Sequence, residues 1–311
     1  MESSRKPRLC VTGGGGYIAS WLVKLLLSRG YAVHATVRDP RDPKNACLKQ
    51  LDKAQENLHL FMADVLDYDA LTAAFARCEG VFHVASPVPI DKMVDKEKEM
   101  MAPTVKGTMN VLKACSAMNV QKLIVVSSGA AVTLNTNWPQ DKLKDESCWS
   151  DKDFCKENEI WYALAKTEAE EMALEYGQEN GLHVVTFCPG AVFGPLLQHV
   201  VLNITTKYLR YIIKGSSERY ICSSHQMDIK DLVNLMKSMY PNYSYADKLV
   251  DVDYKLAMTC DKLKNLGWEP RKLEETLADS IVSYENAGIL GDVDGEPCRV
   301  PYFYRMPPVL E

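Results

Sequence analysis

The sequence predicts an α/β protein, a doubly wound parallel sheet with helices on both faces. Two observations carry this. From residue 8 to residue 188 short apolar runs alternate with longer helical patterns, and that β-α-β-α order calls for parallel strands joined by helical crossovers. A run of four glycines ends the first strand and opens the first helix, where an open α/β sheet receives a phosphate. The 311 residues, 47% apolar and 25% charged, have an ordinary globular composition and suffice for a substantial core. This excludes a mostly disordered chain, a collagen-like repeat and a coiled coil. No apolar run approaches the ~18 residues of a membrane span. The net charge of -5 gives no global attraction to nucleic acid or an anionic membrane.

The elements follow in order. Leu9-Cys10-Val11 is a buried strand. Trp21, Leu22, Leu25 and Leu26 recur at helical spacing until Gly30 stops the helix. Further strands are expected at 31–37, 58–62, 80–84, 123–126 and 183–188. Helices are expected at 104–118 and 161–176. After Pro189 the rhythm weakens. The pattern there predicts a helix to about 214, a strand at 219–222, helices at 227–239, 261–266 and 273–287, and a loose tail from Gly288. No linker rich in Gly, Ser or Pro separates two halves. The expected division is a dinucleotide-binding region at 1–190, to whose sheet strand 219–223 returns, and a smaller fused C-terminal substrate lobe at 191–311.

Ten cysteines at irregular spacing, with no Cys-x-x-Cys pair, argue against a disulfide scaffold and a zinc site. They fit reduced thiols in a cytoplasmic protein. Residues 1–7 are short, polar and basic, without the apolar segment of a secretory signal.

In Thr12-Gly13-Gly14-Gly15-Gly16-Tyr17-Ile18-Ala19, glycines let the backbone approach a pyrophosphate, and the helix start offers free N–H groups. Gly13, Gly15, Gly16, Tyr17 and Ile18 are the candidate cradle; the bland reading is a flexible turn. The second strand ends in Thr36-Val37-Arg38-Asp39. An acid there would hold a ribose 2′-hydroxyl, and an arginine a 2′-phosphate. Arg38 comes first and Lys44 adds charge, which favours NADP(H). Asp64, with Val65 beside it, is placed to reach an adenine amine or to cap the next helix.

Tyr162 and Lys166 are four apart on one expected helix, so they share a face. The ammonium is expected to lower the phenol's pKa, and the phenol to protonate a carbonyl oxygen as hydride arrives. The fifth strand runs into Ser127-Ser128-Gly129, which puts a hydroxyl at the sheet's carboxyl edge. Ser128 is placed to hydrogen-bond the same oxygen.

Together these residues resemble the extended short-chain dehydrogenase/reductases, a Rossmann-type family, and within them the cinnamoyl-CoA reductase-like and dihydroflavonol reductase branch. Further marks are Val81-Phe82-His83-Val84-Ala85-Ser86-Pro87, Asp145-Glu146-Ser147-Cys148-Trp149-Ser150-Asp151, Trp161-Tyr162 and Arg219-Tyr220-Ile221-Cys222. The resemblance implies that Ser128, not Ser127, is catalytic beside Tyr162 and Lys166. It implies that Lys166 holds the cofactor ribose, that Val84, Ala85 and Ser86 border the cofactor, and that Pro189 and Val192 flank the nicotinamide. It implies an NADPH-dependent reductase of small aromatic carbonyl compounds: phenylpropanoid aldehydes, hydroxycinnamoyl thioesters or flavonoid ketones. A plant source, and a monomer or homodimer, go with it.

Two departures stand out. Ile160-Trp161-Tyr162-Ala163-Leu164-Ala165-Lys166 differs from the Asn-Trp-Tyr-Cys-Tyr-Gly-Lys of true cinnamoyl-CoA reductases, and Tyr208 and Tyr211 stand where those have a His and a Lys that meet CoA. Only Ser216-Ser217-Glu218 separate Gly215 from the Arg219 strand, where the family has another strand and helix. The chain reads as internally shortened, and the alternative function is an impaired nucleotide-binding paralogue or splice form with a regulatory role. An epimerase or dehydratase would call for a basic cluster in the second lobe, and none stands out. Cys148 and Cys155 are read as free thiols rather than a redox pair, and His83 as packing. His199 and His225 have no metal partner at a useful spacing. Trp149 and Trp161 are core residues or a pocket wall.

Overall fold

The computed structural model describes residues 6–88, 93–139, 141–197, 229–243, 245, 269, 271–288 and 290. Six strands form one parallel sheet: β1 (Arg8–Thr12), β2 (Ala32–Val37), β3 (Leu58–Met62), β4 (Gly80–His83), β5 (Lys122–Val126) and β6 (His183–Phe187). Their spatial order is β3-β2-β1-β4-β5-β6. The chain therefore leaves β1 to one side and returns to its other side at β4. That reversal opens a crevice at the carboxyl ends of β1 and β4. Register is continuous across it, with Cys10 opposite both His34 and Val81.

Alternation along β1 sends neighbouring side chains to opposite layers. Val11 joins Val33 and Ala35 under α1 (Tyr17–Ser28), whose Ala19, Val23, Leu26 and Leu27 are buried. Cys10 faces the other layer, with Val81 and Leu123. There it meets α4 (Tyr68–Phe75), α5 (Gly107–Ala117) and α8 (Trp161–Asn180), through Leu71, Phe75, Leu112 and Ala173. Short helices α2 (Ala46–Lys49), α3 (Ala54–Asn57), α6 (Ala130–Thr133) and α7 (Lys152–Glu157) complete the order in this part.

The six strands expected between residues 9 and 188 are present. Two helices are longer than their sequence patterns. The helix expected from residue 104 is preceded by a wide π-type stretch, Glu97–Lys106, which accommodates Pro103 before α5 begins. Helix α8 runs on to Asn180 and ends against Gly181 in the left-handed conformation (φ +68°). A second core joins α9 (Ile229–Met239) to α10 (Leu273–Asn286), with Val233, Met236, Leu277, Ile281 and Tyr284 around Leu196. Tyr17 and Phe193 pack against it. The expected helix before 214, the 219–222 strand, the 261–266 helix and the tail beyond 290 lie outside the described residues, as do His199, Tyr208, Tyr211, His225 and the shortened stretch after Gly215. Among the described residues, no helix is long and apolar enough to cross a membrane.

Candidate active site

The glycine loop spans the end of β1 and the start of α1. Its geometry is set by β2: Gly13 N donates to Thr36 Oγ1 at 3.1 Å and Gly14 N to the Thr36 carbonyl at 2.8 Å. Gly13 sits at φ +67°, and a Cβ there would lie 3.0 Å from Ala85, so this position needs glycine twice over. Gly16, at the N-cap of α1, has no side chain to cap the helix, and the first turn holds no acidic residue. A helix start of that kind suits a phosphate. Tyr17 gives its side chain elsewhere: its hydroxyl donates to the Gly194 carbonyl at 2.7 Å. Trp21 Nε1 likewise donates to the Pro195 carbonyl at 2.9 Å. Ile18 is half-buried in the first turn.

Beyond β2, the Arg38 side chain is exposed, and Arg38 and Lys44 both lie near Asp42. Lys44 Nζ stands 3.1 Å from the Asp42 carboxylate. Asp39 is committed to its own turn, its Oδ1 accepting from Arg41 N at 2.9 Å and from Arg41 Nε at 3.3 Å. Those hydrogen bonds hold its pKa below the usual carboxylate value. Asp39 is thus engaged within its own turn, while Arg38 and Lys44 both lie near the Asp42 carboxylate. Asp64 accepts from Leu66 N at 2.9 Å, and the cap of α4 is Asp67, which accepts from Ala70 N at 3.0 Å. Val65 lies against Gly107 at the start of α5, and its carbonyl accepts from Asn110 at 3.1 Å.

The segment after β4 is held by a lock that the sequence did not announce. The Thr12 hydroxyl oxygen accepts from Val84 N and Ala85 N, both at 3.1 Å. Thr108 donates to the Thr104 carbonyl at 2.6 Å, so its oxygen accepts from His83 Nε2 at 3.1 Å. His83 Nδ1 then accepts from Thr12 at 2.9 Å. Burial, and secondarily Lys166, push the imidazole pKa down to about 3. His83 is therefore a neutral structural link, as its packing role implied. Ser86 Oγ is buried with no hydrogen-bond partner among the described residues.

The turn after β5 brings Ser128 to α8. Gly129 N donates to the Pro189 carbonyl at 2.8 Å, and Ala130 N to Ser128 Oγ at 3.1 Å. This sets Pro189 beside the serine turn, with Val192 half-buried three residues on. The Ser128 hydroxyl is near enough to the Tyr162 phenol to act on it by hydrogen bonding. Residues 148–151 brace the turn: Ser150 Oγ donates to the Ala130 carbonyl at 2.7 Å, and Cys148 Sγ to the Val132 carbonyl at 3.2 Å. Cys148 and Cys155 are free buried thiols. Tyr162 is buried with Met100 and Ala165, and Met93, Met101 and Trp161 border it.

One expectation is corrected here. Tyr162 was expected to have a lowered pKa. Burial raises it instead, and the opposing influence is the Ser128 hydrogen bond. Lys166 turns its ammonium to the Val126 carbonyl at 3.0 Å. Burial lowers its own pKa to about 8, against the charge of Glu170.

Residues 9–248 match the NAD dependent epimerase/dehydratase family. The chain belongs to that family. Cinnamoyl-CoA reductase 1 of Petunia hybrida is 37% identical over 325 residues, covering 93% of this chain and 96% of the relative. Cinnamoyl-CoA reductase CAD2 of Medicago truncatula is 42% identical over 312 residues, covering 88% and 94%. The crystal structure of vestitone reductase from alfalfa superposes with a TM-score of 0.78 at 30% identity, covering 92% of this chain and all of that one. The chain is thus an extended short-chain dehydrogenase/reductase, an oxidoreductase dependent on a nicotinamide dinucleotide. The Petunia alignment is longer than this 311-residue chain while covering only 93% of it, so the relative carries residues that this chain lacks.

Proposed function

We propose that the protein is an NADPH-dependent reductase of small aromatic carbonyl compounds: phenylpropanoid aldehydes, hydroxycinnamoyl thioesters or flavonoid ketones. The observation that carries this is the hydrogen bond between Ser128 and Tyr162 beside Lys166, at the sheet edge that also holds the glycine loop. Gly13, Gly15, Gly16 and the first turn of α1, including Ile18, would take the pyrophosphate. Arg38 and Lys44 would hold a 2′-phosphate. Asp64 and Val65 would border the adenine; Val84, Ala85, Ser86, Pro189 and Val192 would border the rest. Bound there, the reduced nicotinamide supplies the hydride. Ser128 orients the carbonyl oxygen, Tyr162 protonates it, and Lys166 holds the ribose. A buried phenol with a raised pKa stays protonated at neutral pH, as a proton donor must. The methionine-bordered surround of Tyr162 suits an aromatic ring, since methionine adapts its shape and contacts ring edges favourably. In this reading residues 191–311 supply the substrate lobe, and the free thiols fit a cytoplasmic protein.

The test is dinucleotide oxidation against a panel of those three substrate classes. Turnover of at least one supports the reading, and dinucleotide binding with no turnover of any would favour the impaired, regulatory alternative. That alternative is motivated by the residues missing relative to the Petunia protein. Cofactor choice has its own expected outcome. Arg38→Ala should cost NADPH about 10- to 100-fold in kcat/KM, the worth of a charge-assisted contact, and leave NADH use within about twofold. Equal losses for the two cofactors would count against the 2′-phosphate assignment.

A further inference from the structure

Glu170 lies one turn beyond Lys166 on α8 and is buried. The hydride chemistry gives it no task. The Ser127 hydroxyl donates to one carboxylate oxygen of Glu170. The Cys188 thiol donates to both, at 3.1 and 3.3 Å. These donors hang on the paired ends of β5 and β6, where Ser127 N also donates to the Phe187 carbonyl at 2.7 Å. A small cavity of about 10 Å³, room for one water, is lined by Lys166 and Glu170 together with Ser86, Ser127 and His83. The unpartnered Ser86 Oγ belongs to that lining. A buried carboxylate persists only where donors and a cation compensate it. The two hydroxyl and thiol donors are present, and the cation at the cavity is Lys166.

We infer that Glu170 is a positioning residue which, across the cavity behind Lys166, keeps that lysine charged and aimed along the β5 end toward Tyr162 and the ribose site. The consequence for turnover rests on the reductase reading, whereas the pairing itself does not. The other groups facing Lys166 do not replace Glu170. Tyr162 stands one turn earlier on α8 with its pKa raised by burial. His83 on β4 is neutral, with its pKa near about 3. β5 offers Lys166 the Val126 carbonyl. Beyond β6, burial and then Glu170 push the Cys188 thiol up, so it is uncharged. With the carboxylate removed, burial acts on the lysine with its main opposition gone, and the ammonium is lost at lower pH.

The experiment follows the Lys166 ε-carbon by NMR against pH in the full-length protein with labelled lysine, the signal being assigned by its loss in Lys166→Arg. Glu170→Gln should move the midpoint down by about one to three pH units. Glu170→Asp should move it less, and the alkaline fall of the reduction rate should move with it. An unmoved midpoint in Glu170→Gln overturns the inference. Should Glu170→Gln fail to fold, the wild type decides: the Glu170 carboxyl carbon should step at the Lys166 midpoint, and a carboxyl carbon indifferent to that titration overturns the pairing. A wild type that reduces none of the panel while the two signals share a midpoint sinks the reductase reading and leaves this one intact. Turnover with an unmoved midpoint does the reverse.

Discussion

Tyr162→Phe should lower the rate of carbonyl reduction by about 10²- to 10⁴-fold, the usual worth of a positioned acid, with dinucleotide affinity within about twofold of wild type. The phenol is buried, and its hydroxyl meets Ser128. Removing it leaves the ring packed against Met100 and Ala165. Ser128 Oγ keeps its bond from Ala130 N. The stability cost should therefore stay near ~1 kcal/mol, that of one hydrogen bond. Burial raises the Tyr162 pKa, and the sign of the pH effect follows. The phenol is the protonated acid throughout neutral pH, so the forward reduction should not depend on its titration there. The reverse oxidation needs the phenolate and should accelerate toward alkaline pH in the wild type alone. Nicotinamide absorbance in both directions, with cofactor binding by calorimetry, checks this. A Phe variant retaining more than about a tenth of the wild-type rate would remove Tyr162 from the chemistry.

Gly15→Ala should weaken dinucleotide binding by about 10- to 100-fold, the equivalent of ~1–3 kcal/mol of overpacking. A Cβ on Gly15 would stand 1.9 Å from Asn45 Oδ1 and 3.1 Å from its Cγ. Asn45 cannot swing aside: it is fully buried, and its Nδ2 donates to the Asp39 carbonyl at 2.8 Å. Either the glycine loop or the turn carrying Lys44 must shift. Both belong to the proposed cofactor bed, so either response is felt as lost affinity. Gly15→Ala combined with Asn45→Ala should regain most of the loss, because the obstructing atom is gone. Calorimetric titration of the single and double variants decides the matter. Full affinity in Gly15→Ala would exclude the loop from the bed.

Much of this site was legible because its chemistry is local. Strand, glycines and helix follow one another within twelve residues or so of β1, and Tyr162 and Lys166 are fixed on one face by helical spacing alone. Ser128 was legible because the apolar run of β5 ends at Ser127-Ser128. What escaped depends on contacts across the chain. His83 is bound by Thr12, 71 positions away, and by Thr108, 25 away. Glu170 sits among Glu168 and Glu171 in a helix whose buried residues mix Tyr162, Leu164 and alanines with Lys166 and Thr167, so no clean apolar stripe marks the inward side. The direction of the Tyr162 shift escaped for the same reason: spacing reveals a neighbouring ammonium, while burial is a property of the folded chain. The sequence already favoured Arg38 over Asp39, but it did not show that Asp39 is engaged by Arg41 N within its own turn.

Tyr17 and Trp21 tether α1 to the backbone at Gly194 and Pro195. Leu196 N is in turn held by Ser283 Oγ at 3.0 Å, and Tyr284 packs in the same core. On the proposed reading, one helix thus serves as the doorstep for the coenzyme and as an anchor for the wall beyond β6. A loop graft at 193–196 should therefore be expected to disturb α1, and on the proposed reading coenzyme loading with it, unless it preserves both carbonyl acceptors.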